Sequence, residues 1–421
     1  MAEFKFIHAA DLHIDSPLRG LETYAGAPVE RLRGATREAF ENLISLAIEQ
    51  RVALVVIAGD VFDRQWPDMN TGLWTAEQFR RLQREAIPVY LIRGNHDAAS
   101  KVRQAVRWPN NVHEFSVRKP ETLELGEFGV VMHGQGFAHR ECPDDLAATY
   151  PDPVAGMFNI GVLHTSLTGS TQHDPYAPTS LETLIERGYD YWALGHIHQR
   201  SDPPIHEHPH IVYSGNTQGR HINESGAKGC LLVTVADGAV VRVEFCETDT
   251  VRWQAVEVKL GENDNVAALL VAVQHQLAEC RAQADDRLVA IRLTITGACA
   301  AHRTLANPRD REETQAEIRN LANELDALWI EKVALETRPP IDIDQLKASP
   351  DLVGELLRMI DSMAADDSQL TTLAGELDGL HGKLAVELDQ LQVDLHDPDQ
   401  LRRWLGCAEG LLVDNLLEVE G

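Results

Sequence analysis

Apolar positions along this chain follow two rhythms. FKFIHAA near the start is a short apolar run that fits a buried strand. VALVVIA (Val52 to Ala58) is richer still in β-branched residues, and IPVYLI (Ile87 to Ile92) is a third such run. Between the first two, Arg31 to Gln50 carries Leu32, Ala35, Ala39, Leu43, Leu46 and Ala47 at helical spacing, and Thr71 to Glu85 predicts the next helix. Strand–helix–strand order predicts βαβ units and a largely parallel sheet. FGVVMH, MFNIGVLH, YDYWAL, HIVYS, GCLLVTV and AVVRVEF predict further strands, and long helices are missing between some of them, so a second sheet is expected.

The rhythm changes near Val251. VRWQAVEVKL, Asn265 to Ala284 and RLVAIRLTI read as strand, helix, strand; a helix starting at Asn307 or Asp310 and a strand at WIEKVALET follow, closed by Pro339 and Pro340. Beyond the two prolines the pattern is helical, at Asp351 to Met363, Ser368 to Leu391 and Asp399 to Leu417. The expected division is therefore 1–250, an α/β body; 251–340, a small α+β domain; and 341–421, a helical region. No internal repeat and no low-complexity tract interrupts it.

A chain of 421 residues with 44% apolar positions can bury several cores. No apolar run reaches the ~18 residues a membrane helix needs, so no membrane association is expected. MAEFKFIHAADLH runs straight into a strand and lacks a signal-peptide layout. Cys142, Cys230, Cys246, Cys280, Cys299 and Cys407 are scattered without CxxC spacing, as in a reduced, cytoplasmic protein. The net charge of −27 argues against a simple nucleic-acid coating protein. That charge is uneven: Ile341 to Gly421 holds 18 acidic and 5 basic residues, whereas Arg64 to Arg107 holds 8 basic and 4 acidic ones.

Chemistry-bearing residues gather where predicted strands end: Asp11 and His13 in ADLH, Asp60 and Asp63 in GDVFD, Asn95, His96 and Asp97 in GNHD, His164 after MFNIGVL, and His196 and His198 in GHIH. On extended backbone, residues i and i+2 point the same way, so Asp11 with His13, and His196 with His198, can aim at one crevice. In open α/β sheets that crevice lies beyond the carboxyl ends of the strands. Gly59, Gly94 and Gly195 are expected to permit the sharp turns. Carboxylate, imidazole and amide donors without thiolate suit Mn²⁺ or Fe, with Zn²⁺ as a further option, and disfavour a structural cysteine–zinc site. Two ions sharing a carboxylate would sit roughly 3.5–4 Å apart.

Taken together, D-x-H, G-D-x-x-D, G-N-H-D, H and G-H-x-H resemble the calcineurin-like metallophosphoesterase pattern. That resemblance implies a β-sandwich flanked by helices and two divalent ions, most simply Mn²⁺. By it, Asp11, His13, Asp60 and His198 would hold one ion, and Asp60, Asn95, His164 and His196 the other, with Asp60 bridging. His96 matches the family's catalytic histidine, and Asp97 would orient it through the other ring nitrogen. Within the family, FIHAADLHIDSPLRG, LIRGNHDAAS, WPNNVHEFS, HDPYAPTSLETL and YDYWALGHIHQR are most similar to the SbcD/YhaO-type DNA repair exonucleases. The resemblance then implies a DNA-binding cap at 251–340 and an acidic helical region at 341–421 that docks an SbcC-like or YhaN-like ATPase, with a homodimer as one possible assembly.

Several positions carry two readings. His133 either touches the residues behind the site or packs in the fold. His173 and Tyr176 either face substrate or pack within their loop. Arg220 and His221, in SGNTQGRHINESG, either contact phosphate or belong to a solvated loop. Arg80, Arg81 and Arg84 form either an exposed helix face or a DNA track. The rival function is a phosphoesterase acting on a nucleotide, lipid or phosphoprotein. A scaffold that has lost catalysis is a third reading, which the full ligand set disfavours.

Overall fold

The computed structural model describes residues 3–16, 26–63, 69–99, 106–167, 176–340, 343–390 and 393–418. The chain divides into two compact units, one of Met1–Val256, Leu277–Leu293 and Ala322–Lys332, the other of Glu257–Gln276, Thr294–Leu321 and Val333–Gly421.

The first unit is built on two sheets. Strands β1 (Phe4–Ala9), β2 (Leu54–Ile57), β3 (Val89–Leu91), β4 (Val112–Glu114), β10 (Gly229–Ala236) and β11 (Ala239–Glu247) form a sheet in the order β11-β10-β1-β2-β3-β4. The run from β1 to β4 is parallel, while β10 joins β1 antiparallel. Strands β5 (Glu121–Leu125), β6 (Val130–Gly134), β7 (Phe158–His164), β8 (Tyr191–Gly195) and β9 (His210–Tyr213) form the second sheet, in sequence order. It is parallel from β6 to β9. The edge strands β4 and β5, short and half-buried, carry too few apolar residues to be read from sequence.

Alternation along each strand decides which way its side chains go. Phe6 and Ala10, Leu54, Val56 and Ala58 meet Val130, Met132, Phe158, Ile160, Tyr191 and Ala193 in the core between the sheets. Ile7, Ala9, Val55 and Ile57 face the other way, against Phe40, Leu43, Ile44, Phe79 and Leu82 of helices α1 (Val29–Glu49) and α2 (Met69–Arg84). On the outer face of the second sheet, Trp192 and Leu194 of β8 pack with Phe137, Leu146, Tyr150 and Leu184. The metallophosphoesterase β-sandwich expected from the motifs is present, with long helices on one face. His133 is a packed residue: its ring bonds Thr122 and Asn159 and stacks on Tyr189. On α2, Arg80 and Arg84 pair with Glu77, as an exposed helix face does.

Strands β12 (Val251–Lys259), β13 (Leu288–Ala298) and β14 (Leu328–Arg338) form a third sheet in that order. Their first halves belong to the first unit. There Val251, Trp253, Leu288, Ala290 and Trp329 enclose a core with Leu32, Ala35 and Ile222. In the second unit, helices at 352–365, 367–390 and 398–418 reproduce the helical pattern after the double proline. The first of these is capped by Asp351, whose carboxylate accepts the Gly354 N–H at 2.8 Å. No helix among the described residues is long and apolar enough to cross a membrane.

Two predictions follow from these cores. Trp253 is 4% exposed, so Trp253→Ala should cost about 3–5 kcal/mol, read by urea denaturation; an unchanged midpoint would remove Trp253 from the core. His8 lies between the sheets, its Nδ1 3.0 Å from the Tyr191 hydroxyl and its Nε2 3.2 Å from the Leu194 carbonyl. Burial pushes its imidazole down from 6.5 to about 3, against the pull of that carbonyl. The unfolded chain therefore takes a proton below pH 6.5 that the folded chain refuses until about pH 3. The resulting loss of stability is at most about 1.4 kcal/mol per pH unit. Metal-free His8→Gln should thus lose less melting temperature than wild type between pH 7.5 and pH 5; equal losses would show that His8 carries no such term.

Candidate metal centre

The site lies at the carboxyl ends of the parallel strands of both sheets. β1, β2, β7 and β8 end just before or at Asp11, Asp60, His164 and His196, while Asn95 opens the short turn of helix that follows β3. The ligand pairs do not converge through extended backbone as the i, i+2 argument expected. Asp11, His13, Asp60 and His196 instead have left-handed backbone, with φ of 52°, 43°, 54° and 99°. Their loops are zipped together: Asp11 N–H donates to Gly59 O, His13 N–H to Asp60 O and Ile14 N–H to Val61 O, each at 3.0 Å. The glycines also act differently than expected. Only Gly59 needs its left-handed backbone (φ 98°); at Gly94 and Gly195 a side chain would run into the Asp60 carboxylate and the Ala58 carbonyl.

Two groups of possible ligand atoms meet at Asp60. On one side the Nε2 atoms of His13 and His198 stand 3.2 Å apart. His198 Nε2 is 3.7 Å from Asp11 Oδ1, and His13 Nε2 is 3.9 Å from Asp60 Oδ2. On the other side Asp60 Oδ2 is 3.3 Å from His164 Nε2, which is 3.0 Å from Asn95 Oδ1. Asp11, Asp60 and His164 offer atoms within 4.8 Å of one another, as do Asp11, His13 and His198. His196 stands beside His164 (ring centroids 5.2 Å) and fixes Asp11 through its backbone N–H, 3.0 Å from Oδ2.

These residues fit a divalent cation. Asp11 Oδ1 is buried without a hydrogen-bond donor, a cost that a cation removes. The imidazoles are turned so that Nε2 faces inward: His164 Nδ1–H donates to Ala58 O at 2.9 Å, and His198 Nδ1–H to Glu224 Oε1 at 2.7 Å. Burial lowers the His13 imidazole well below its ordinary value, keeping it neutral with a lone pair to give. Burial alone would raise the Asp60 carboxyl, but His164 and then His96 hold it low. Burial pulls His164 down, yet Asp60 outweighs it and pushes the ring up to about 9.

His96 lies against His13, with ring centroids 4.8 Å apart, and its backbone N–H donates to Asp60 Oδ1 at 2.9 Å. The carboxylate at its ring is Asp63, and not Asp97 as the resemblance implied. Asp63 Oδ1 is 2.5 Å from His96 Nδ1, whereas Asp97 is buried and accepts the backbone N–H groups of Val61 (3.1 Å), Phe62 (2.9 Å) and Gly94 (3.3 Å). Asp97 therefore ties the GDVFD loop to the GNHD turn. The spacing GNHD drew attention to the neighbour in sequence, while the partner in space sits in the preceding motif.

Of the remaining candidates, Tyr176 packs its ring on His196 at 5.2 Å. His173 lies outside the described residues. Arg220 is in the site, its NH2 3.2 Å from His198 Nδ1 and its NH1 4.0 Å from Asp63 Oδ2. His221 is more open, 3.6 Å from Glu224. Glu224 and Lys228, whose Nζ donates to the His198 carbonyl at 3.0 Å, carry no sequence motif and were not foreseen. Burial would raise the Glu224 carboxyl, but His198 and Arg220 hold it far below the usual carboxylate range.

Comparisons with known proteins place the chain in a family. The family model for calcineurin-like phosphoesterases matches residues 4–200, and that for the middle domain of the metallophosphoesterase YhaO matches residues 253–338. The uncharacterized metallophosphoesterase YhaO of Bacillus subtilis is 36% identical over 300 residues, covering 70% of this chain and 72% of YhaO. The DNA double-strand break repair protein Mre11 of Methanopyrus kandleri is 27% identical over 284 residues, covering 61% of this chain and 60% of Mre11. A crystal structure of a dimetal phosphatase from Danio rerio aligns over 56% of this chain and 93% of that one, at 11% identity and a TM-score of 0.36, too slight a likeness to argue from. With the YhaO match running through most of both chains, this chain belongs to the calcineurin-like metallophosphoesterases, in the YhaO family.

Proposed function

We propose that this chain is a two-metal phosphodiesterase that degrades DNA from its ends, the nuclease subunit of a cytoplasmic DNA-repair complex with an SbcC-like or YhaN-like ATPase. The observation that carries the two-metal reading is Asp60, whose Oδ2 faces His13 on one side and His164 on the other. The similarity to an Mre11 protein supports DNA as substrate. The acidic balance after Ile341 supports docking of a protein there, since such a surface repels DNA phosphates.

Asp11, His13, Asp60 and His198 would hold one ion and Asp60, Asn95, His164 and His196 the other, with Mn²⁺ favoured by the donor set and Fe or Zn²⁺ as alternatives. When bound, such ions activate water and neutralise phosphate charge. The chain's own residues do the rest. Asp60 gives Oδ1 to the His96 amide, which aims Oδ2 at both ligand groups. Asp63 accepts the Nδ1–H of His96, so that when the ring carries its second proton, Nε2–H would protonate the departing alkoxide and Nε2 would be left with its lone pair. The Ala58 carbonyl and the Glu224 carboxylate keep His164 and His198 in one tautomer each.

Asp60→Asn should weaken both ions together. Metal analysis of the purified variant checks this, and two tightly bound ions per chain, as in wild type, would count against a shared carboxylate. His96→Ala should retain both ions yet lose ~10²–10⁴-fold in turnover of a diester with a poor leaving group; near-normal turnover would remove His96 from the role. The substrate class is decided in Mn²⁺ by comparing linear duplex DNA with bis-p-nitrophenyl phosphate. Hydrolysis of the small diester without any shortening of DNA would favour a nucleotide, lipid or phosphoprotein substrate instead.

A further inference from the structure

The carboxylate of Glu224 is the meeting point of two halves of the site. Oε1 accepts the His198 Nδ1–H at 2.7 Å and Arg220 NH2 at 2.7 Å. Oε2 accepts Arg220 N–H at 2.8 Å, Arg220 Nε at 3.2 Å and Asn216 Nδ2 at 3.0 Å. Arg220 NH1 lies 4.0 Å from Asp63 Oδ2, at ion-pair distance, and Ser16 Oγ donates to the same oxygen at 2.7 Å; the other oxygen of Asp63 holds His96. The Arg220 guanidinium is 13% exposed and its fork is turned on Glu224, which leaves little of it to offer a phosphate.

We infer that Glu224 and Arg220 are positioning residues of this site: Glu224 fixes His198 as an Nε2 ligand, and Arg220, gripped by the same carboxylate, holds Asp63 and through it His96. This rests on the two-metal phosphodiesterase reading above. The turn that carries the pair is itself anchored. Gln218 accepts the N–H groups of Thr250 and Val251 through Oε1, the Trp253 indole N–H donates to Gly219 O at 3.0 Å, and Ile222 is buried beside Trp253. A fork of five donors on a planar cation suits a bidentate hold on Glu224 with one nitrogen left for Asp63.

The test uses the full-length chain carrying Glu224→Gln, Arg220→Gln, Asp63→Asn or the last two combined, with Glu224→Asp in reserve should Glu224→Gln fail to fold. Mn²⁺ binding is measured by titration calorimetry, and kcat is followed over aryl phosphodiesters with leaving groups of rising pKa. In Glu224→Gln one of two ions should bind about 10–100-fold more weakly while the other is unchanged. Arg220→Gln should bind both ions as wild type does. Its kcat should fall more steeply as the leaving group worsens, as in Asp63→Asn, and the double variant should be no worse than Asp63→Asn alone. A residue that merely held the fold together would lower the melting temperature and kcat alike for every leaving group. The inference is overturned if Glu224→Gln binds both ions with wild-type affinity. It is also overturned if Arg220→Gln loses the same factor on all leaving groups, or raises KM alone as a phosphate contact would. A wild type that binds a single ion defeats the two-metal reading, while the affinity lost or kept in Glu224→Gln still decides the role of Glu224.

Discussion

The Asp60 carboxylate is 1% exposed, and a charge taken out of water at that depth is tolerable only where opposite charges and dipoles face it. It has the His96 amide on one oxygen and His13 and His164 around the other. The price of that burial is met by the two-sheet architecture. β1, β2 and β3 bring Asp11, His13, Asp60 and Asn95 from one sheet, β7 and β8 bring His164 and His196 from the other, and the core between the sheets holds the two sets together. The same burial leaves Asp11 Oδ1 without a donor, so a cation placed there would relieve a cost that the fold alone does not.

Left-handed backbone at Asp11, His13, Asp60 and His196 is the second constraint. For residues other than glycine such a conformation costs roughly 1–2 kcal/mol each, and it persists only where neighbours over-determine it. Here the neighbours are the other ligand loops: the amides of Asp11, His13 and Ile14 are spent on Gly59, Asp60 and Val61, and Asp97 takes the amides of Val61, Phe62 and Gly94. Each of these loops is thus part of the scaffold of the next.

The elements were legible because periodicity is local. The helix from Val29 to Glu49 and the strands that end before Asp11, before Asp60 and at His164 follow from which positions are apolar. The clustering of the motifs was legible too, through their recurrence at strand ends. What stayed hidden depends on direction and distance. GNHD sets Asp97 beside His96 in sequence and so points to it as the partner, yet in space Asp63 reaches the ring while Asp97 points back into the loop. Likewise Gly94 and Gly195 look like turn glycines, but what excludes a side chain there is the approach of another strand's loop. Edge strands β4 and β5 have half-buried faces and so lack the apolar signal of central strands.

Glu224 escaped for a further reason. GHIH ends at His198, whereas the groups that orient it lie beyond the motif, in the turn around Glu224 and at Lys228. His198 is held from behind by Glu224 and its carbonyl by Lys228, and the turn carrying Glu224 is pinned by Val251 and Trp253 at the start of β12. The first compact unit accordingly runs to Val256 and takes in parts of β13 and β14. A boundary drawn at residue 250, where the composition changes, would cut between the turn and its anchor. The third sheet is therefore not merely appended to the candidate metal centre, since its opening residues pin the turn whose Glu224 holds His198.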